Sequence, residues 1–263
     1  MLFIVLPAYN EELGLGMLIE DILFHCEDLP IQIVVVNDAS TDRTYEVAME
    51  YAKRYPCITV ISHVENRGLG GSLLTGFKEV FKLRRILPRT EGQGERYQDG
   101  IITMDADNTH PGEAIPKILG LIEDGADLVV ASRYAFGSNQ YGLTPIRKLL
   151  SWGAGKVMSM AFPVEGLKDY SCGYRGYRAS VLEKAYFLYG DQLIESRNFS
   201  GMVELLLKVV EYCNHIQEIP FDLHYEKKLG RSKMRIFKTI GGYFNLIYRL
   251  KKEAWGWRQW VGE

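Results

Sequence analysis

Short apolar runs alternate with longer amphipathic stretches through the first half of the chain. Leu2 to Leu6, Ile58 to Ile61, Ile101 to Met104 and Leu128 to Ala131 read as strands. Ile33-Val34-Val35-Val36 is unbroken and β-branched, as expected of a strand covered on both faces. Between these runs, Leu15, Leu18, Ile19, Ile22 and Leu23 fall at helical spacing and predict a helix from about Leu13 to Cys26. Ser40 and Thr41 offer a cap for a second helix through Val47, Ala48 and Tyr51. Leu73, Leu74, Phe77, Val80 and Phe81 form a third apolar stripe after the glycines at Gly68 to Gly71. Such alternation predicts βα units on a largely parallel sheet.

After Arg133 the pattern changes. A glycine-bearing loop leads to an apolar helix from about Ile146 to Phe162, and a further helix is expected from Ser200 to Tyr212. Ile216 to Ile219 and Phe221 to Tyr225 read as short strands separated by Pro220. From Lys233 on, Ile236, Ile240, Phe244, Ile247 and Leu250 recur at helical spacing, ahead of Trp255, Trp257 and Trp260. The expected organisation is one α/β domain over residues 1–232 and an amphipathic, basic, Trp-containing segment over 233–263.

Charge refines this picture. The 263 residues carry a formal net charge of -2, so the whole chain does not call for a polyanionic partner such as nucleic acid. Yet from Lys227 onward ten Lys or Arg face only Glu253 and Glu263, so a basic tail follows an acidic body. Two readings fit the tail: a solvated helical face, or peripheral contact with an anionic membrane surface. No run nears the roughly twenty apolar residues of a membrane-spanning helix. The four cysteines, Cys26, Cys57, Cys172 and Cys213, are scattered without metal-ligand spacing, which fits a reducing, cytoplasmic setting.

The chemistry-bearing residues collect just past the strand ends, where open α/β sheets place ligands. Pro7-Ala8-Tyr9-Asn10-Glu11-Glu12 follows the first strand and Asn37-Asp38-Ala39-Ser40 the second. Tyr9, Glu11 and Asp38 suit a nucleobase and ribose, although each loop alone also fits a capped turn. Asp105-Ala106-Asp107 is the strongest local signal. Two carboxylates so close at the mouth of a sheet repel one another unless a cation joins them, and hard oxygen donors suit Mg²⁺ or Mn²⁺. His110 lies within reach of the same place, whereas His25, His63, His215 and His224 look isolated. The Gly68 to Gly71 run lacks the lysine of a P-loop and reads as a tight turn into a helix.

Taken in order, PAYNEE (7–12), NDAS (37–40), NRGLGGSLLTGF (66–77), DADNTHP (105–111), SRY (132–134), DYSCGYR (169–175) and GRSK (230–233) resemble glycosyltransferase family 2. Within it the match looks most like the dolichyl-phosphate or polyprenyl-phosphate mannose and glucose synthases. The resemblance implies a GT-A fold, a GDP- or UDP-sugar donor and a polyprenyl phosphate acceptor. It implies that Pro7, Tyr9, Glu11 and Asp38 line the nucleoside pocket, with Asp105, Ala106 and Lys233 also on the donor. It implies a metal at Asp105 and Asp107, and an acceptor phosphate at Arg133, Arg147 and Ser151. Three positions depart from the family pattern: Thr109 stands where Gln is expected, Lys227 where Arg is expected, and Asn37 where Asp is commoner. The expected reaction is inverting displacement of a nucleoside diphosphate. A phosphate acceptor needs no strong base, whereas a hydroxyl acceptor would need one, for which Asp169 is the candidate. The alternatives are therefore transfer to a hydroxyl acceptor, and an inactive nucleotide-sugar-binding module.

Overall fold

The computed structural model describes residues 1–87, 99–229 and 236–261, with side chains left out at 236–238 and 253–261. Lys233 and the expected boundary at 232/233 lie outside the described residues. The strands are β1 (Leu2–Ala8), β2 (Ile31–Asn37), β3 (Ile58–Ser62), β4 (Gly100–Thr103), β5 (Leu128–Ser132), β6 (Gln140–Tyr141), β7 (Arg175–Arg178), β8 (Ile216–Pro220) and β9 (Leu223–His224). The helices are α1 (Leu15–His25), α2 (Thr44–Arg54), α3 (Gly68–Ile86), α4 (Ala114–Glu123), α5 (Pro145–Ala161), α6 (Ala179–Tyr189), α7 (Ser200–Val210) and α8 (Ile236–Val261).

Seven strands form one sheet in the order β3-β2-β1-β4-β7-β5-β8. All its pairings are parallel except those of β7, which lies antiparallel between β4 and β5. Alternate residues of β1 enter opposite cores, as the twofold period of a strand requires. Leu2, Ile4 and Leu6 pack with α1 and α4 on one face, while Phe3 and Val5 pack with α3, α6, α7 and α8 on the other. Each such fully buried side chain contributes about 1.5–3 kcal/mol. The chain leaves β1 toward β2 on one side and later enters β4 on the other, so a crevice opens between the C-terminal ends of β1 and β4.

Three details differ from the expectations. The second helix begins at Thr44, whose N–H donates to Asp42 at 3.0 Å. Ser40 and Thr41 instead bind the loop after β1, where the Ser40 hydroxyl accepts from Asn10 N–H and Thr41 N–H donates to Asn10 Oδ1. The Phe221 to Tyr225 run supplies only Leu223–His224, paired with β6 outside the main sheet. The apolar stripe of the last helix is divided. Tyr243 and Leu246 are buried and Ile247 and Leu250 pack against the body, whereas Phe244 is 62% exposed. The helix continues through the three tail tryptophans, whose side chains lie outside the described residues.

Candidate active site

Three strand ends deliver the site, and each turns through a left-handed residue. Asn10 after β1, Ala39 after β2 and Asn108 after β4 have φ of 52°, 55° and 62°. Asn tolerates this region; Ala does so only under constraint, and such strain collects at functional loops. A cleft of about 430 Å³ lies over these ends. Pro7, Tyr9, Glu11 and Asp38 line it, as do Asp105, Ala106, Asp107, Arg133, Arg147 and Ser151. Asp169 is not among its lining residues.

Asp38 shapes the cleft at the end of β2 through the loop it holds. Its carboxylate accepts Arg67 N–H and Gly68 N–H at 2.8 Å each and contacts His63 Nδ1 at 2.7 Å. His63, which looked isolated in sequence, is thus a buried partner of Asp38, with Nε2 2.9 Å from the Thr75 hydroxyl. Gly68 has φ of 76°, and a Cβ there would stand 2.2 Å from the Arg197 carbonyl oxygen. That close approach brings Arg197, Asn198 and Phe199 into the cleft wall.

At the centre, Thr109 stands at the position where Gln was expected, and its hydroxyl donates to Asp107 Oδ1 at 2.6 Å. Lys228 Nζ donates to Asp107 Oδ2. Burial pushes the Asp107 carboxyl up, but the adjacent Lys228 ammonium, the Thr109 hydroxyl and His110 together hold the group below the usual carboxylate range. Burial raises Asp105, and the Asp107 charge adds to the shift against the attraction of His110. His110 stacks on Tyr174 at 5.1 Å and accepts from Asp105 N–H at 3.2 Å, so it is a packed wall of the cleft. The donor set fits a hard divalent cation that shares substrate phosphates. It supplies two carboxylates, one desolvated without full compensation and the other already carrying a cationic partner. Among the described residues no group of three or more His, Cys, Asp or Glu side chains could hold a metal unaided.

Elsewhere along the cleft, Arg147 sits in the first turn of α5, which Thr144 caps by accepting Arg147 N–H at 3.4 Å. Its Nη1 donates to the Tyr225 hydroxyl at 2.7 Å. Ser151, one turn on, accepts from the Tyr134 hydroxyl at 3.1 Å. Arg133 lies beside Asp169, with Nε and Nη2 donating at 2.8 and 2.7 Å. Asp169 is fully buried and also accepts the N–H groups of Arg133, Ser171 and Cys172. Burial raises it, and Arg133 more than reverses the shift. Asp169, the candidate base for a hydroxyl acceptor, is thus engaged by Arg133 and by three backbone N–H groups and does not line the cleft.

Sequence reasoning missed Lys228. The departure from the family pattern had drawn attention to Lys227, which is exposed and points to a second cavity with Met17 and Asn108. It also missed Thr239, Ile240 and Tyr243, by which α8 joins the cleft wall. The sequence signal for that contact was the helix's apolar stripe, which includes Ile240.

The model of the family described as glycosyl transferase family 2 matches residues 3–83 and 89–185. The dolichol-phosphate mannosyltransferase of Pyrococcus furiosus is 34% identical over 261 residues, covering 99% of this chain. The chain spans 64% of the length of that relative. The undecaprenyl-phosphate mannosyltransferase of Micrococcus luteus is 31% identical over 88% of this chain and 86% of its own. Glucosyl-3-phosphoglycerate synthase from Mycobacterium tuberculosis, crystallised with Mn²⁺, UDP and glucosyl-3-phosphoglycerate, superposes with a TM-score of 0.61 at 15% identity. That superposition covers 95% of this chain and 78% of the other, a likeness of fold. With its mainly parallel sheet of GT-A type and its strand-end carboxylates, the chain belongs to glycosyl transferase family 2.

Proposed function

We propose that this chain transfers a sugar, with inversion, from a GDP- or UDP-sugar to a polyprenyl phosphate, assisted by Mg²⁺ or Mn²⁺ at Asp105 and Asp107. The observation that carries the acceptor is a cationic site with an apolar exit. Arg133 and Arg147 stand in a cleft also walled by Leu143, Leu150 and Ala154. Beyond them, Ile146, Leu149, Trp152 and Met160 of α5 are 70%, 65%, 50% and 83% exposed. Helical spacing puts these four on one side of α5. On α8, which packs against α5, Phe244 and Tyr248 are exposed one turn apart. A lipid phosphate fits this arrangement: its headgroup meets the arginines while its chain follows the apolar side. The relatives named for dolichol-phosphate and undecaprenyl-phosphate support the same acceptor class.

The same surface supports peripheral membrane contact, with Lys251 and Lys252 exposed beside it. Among the described residues no helix is long and apolar enough to cross a membrane. Four unpaired cysteines favour the cytoplasmic face.

When bound, the cation acts as a Lewis acid toward the departing diphosphate. Asp105 and Asp107 would hold it, Thr109 orients Asp107, and Arg147 positions the acceptor oxygen. An ionised phosphate supplies its own nucleophile, so the absence of Asp169 from the cleft is no obstacle. Arg147→Lys tests the assignment, because lysine lacks the planar fork that orients a phosphate. Transfer to a polyprenyl phosphate is expected to fall about a hundredfold, the scale of a misplacement of about an ångström, with donor affinity unchanged. Normal transfer by the variant would remove Arg147 from the acceptor site.

A further inference from the structure

Lys228 lines the cleft beside Asp107. Its ammonium contacts Asp107 Oδ2, and only 10% of its side chain and 11% of that of Asp107 are exposed. Asp107 Oδ1 is taken by the backbone N–H and hydroxyl of Thr109, so both oxygens of the carboxylate are engaged within the chain. Glu11, on the nucleoside side, and Asp105 also act on the Lys228 charge. Lys228 therefore lies between the donor wall and the metal carboxylates.

Its tether is short. Lys228 directly follows the single helical turn Tyr225–Lys227, and its N–H donates back to the Tyr225 carbonyl at 3.3 Å. The Tyr225 hydroxyl accepts from Arg147. One short segment thus touches both the acceptor-side cation and the metal-side carboxylate.

A fixed positive charge on Asp107 opposes entry of a second cation beside it. A nucleoside diphosphate changes that balance, because its oxygens offer the ammonium another anion in the same cleft. We propose that Lys228 is a tethered counter-cation that holds the metal carboxylates in the nucleotide-free protein and passes to the diphosphate when donor and metal enter together. Metal and nucleotide then bind cooperatively, and Lys228 supplies part of the coupling, beyond what shared phosphate oxygens supply. This inference rests on the metal-assisted reading above and adds to it an order of binding.

The test is titration of Mn²⁺ into the full chain, followed by the paramagnetic resonance signal of the free ion, with and without UDP or GDP. The variants are Lys228→Gln, which removes the charge, and Lys228→Arg, which keeps it. The wild type is expected to bind Mn²⁺ weakly alone and at least about tenfold more tightly with the nucleotide. Lys228→Gln is expected to bind Mn²⁺ alone at least about tenfold more tightly than the wild type and to gain less from the nucleotide. Lys228→Arg should retain the coupling. Equal or weaker binding of Mn²⁺ alone by Lys228→Gln overturns the role of Lys228 and leaves the metal-assisted reading standing. Failure of the wild type to bind Mn²⁺ even with nucleotide overturns both.

Discussion

Arg133 lays Nε and Nη2 against the two carboxylate oxygens of Asp169 at 2.8 and 2.7 Å, and Asp169 is wholly shielded from solvent. This pair fixes the end of β5 to the loop before β7. It makes Asp169 a positioning residue for Arg133.

Asp169→Asn should therefore destabilise the protein by about 3 kcal/mol, the scale for breaking a buried ion pair. The sign with pH follows from the lowered carboxyl. Its contribution is present above the unfolded value of about 4 and is lost as pH falls through the still lower folded value. Denaturant melts from pH 7 to pH 3 should show the gap between wild type and variant narrowing toward the acid end. A gap that stays constant would count against the ion pair as its source.

Asp107→Asn changes charge with little change in volume, so the fold should persist. Turnover should fall by orders of magnitude, and excess chelator should reduce the wild type likewise. Wild-type activity that survives the chelator would remove the metal mechanism.

Thr109→Val deletes the 2.6 Å hydrogen bond that orients Asp107 but keeps the shape of the side chain. Groups that orient a metal ligand are worth about 10–100-fold in metal affinity or activity, and a loss in that range is expected here. Calorimetric titration of Mn²⁺ with UDP or GDP present checks it, an unchanged affinity being the contrary result.

The proposed membrane contact would use the exposed sides of α5 and α8. Replacing Leu149, Met160 and Phe244 together by Ser should lower co-sedimentation with anionic vesicles while leaving the melting temperature nearly unchanged, since all three are more than half exposed. Equal sedimentation of both proteins would move the contact elsewhere.

Much of the parallel part of the fold was legible because β1, β2 and β5 carry continuous apolar runs, Leu2 to Leu6, Ile33 to Val36 and Leu128 to Ala131. β7 was not: Arg175–Arg178 opens and closes with arginines, and its place between β4 and β5 depends on pairings across the sheet. Asp105 and Asp107 were visible because they share one strand end. Lys228 was hidden because it lies 121 positions along the chain from Asp107, and its neighbour Lys227 was the residue aligned with the motif. Ser40 and Thr41 carry the right chemistry for a helix cap, but the loop after β1 competes for their oxygens and the structure favours that loop.

The most direct measurement compares a short polyprenyl phosphate with the matching polyprenol as acceptors, across a panel of GDP- and UDP-sugars with Mg²⁺ or Mn²⁺. The two acceptors share the lipid and differ only in the phosphate that Arg133 and Arg147 are assigned to hold. The account predicts a glycosylated lipid phosphate from at least one donor and no product from the polyprenol. Glycosylation of the free alcohol, or of a saccharide hydroxyl with none of the lipid phosphate, would contradict it.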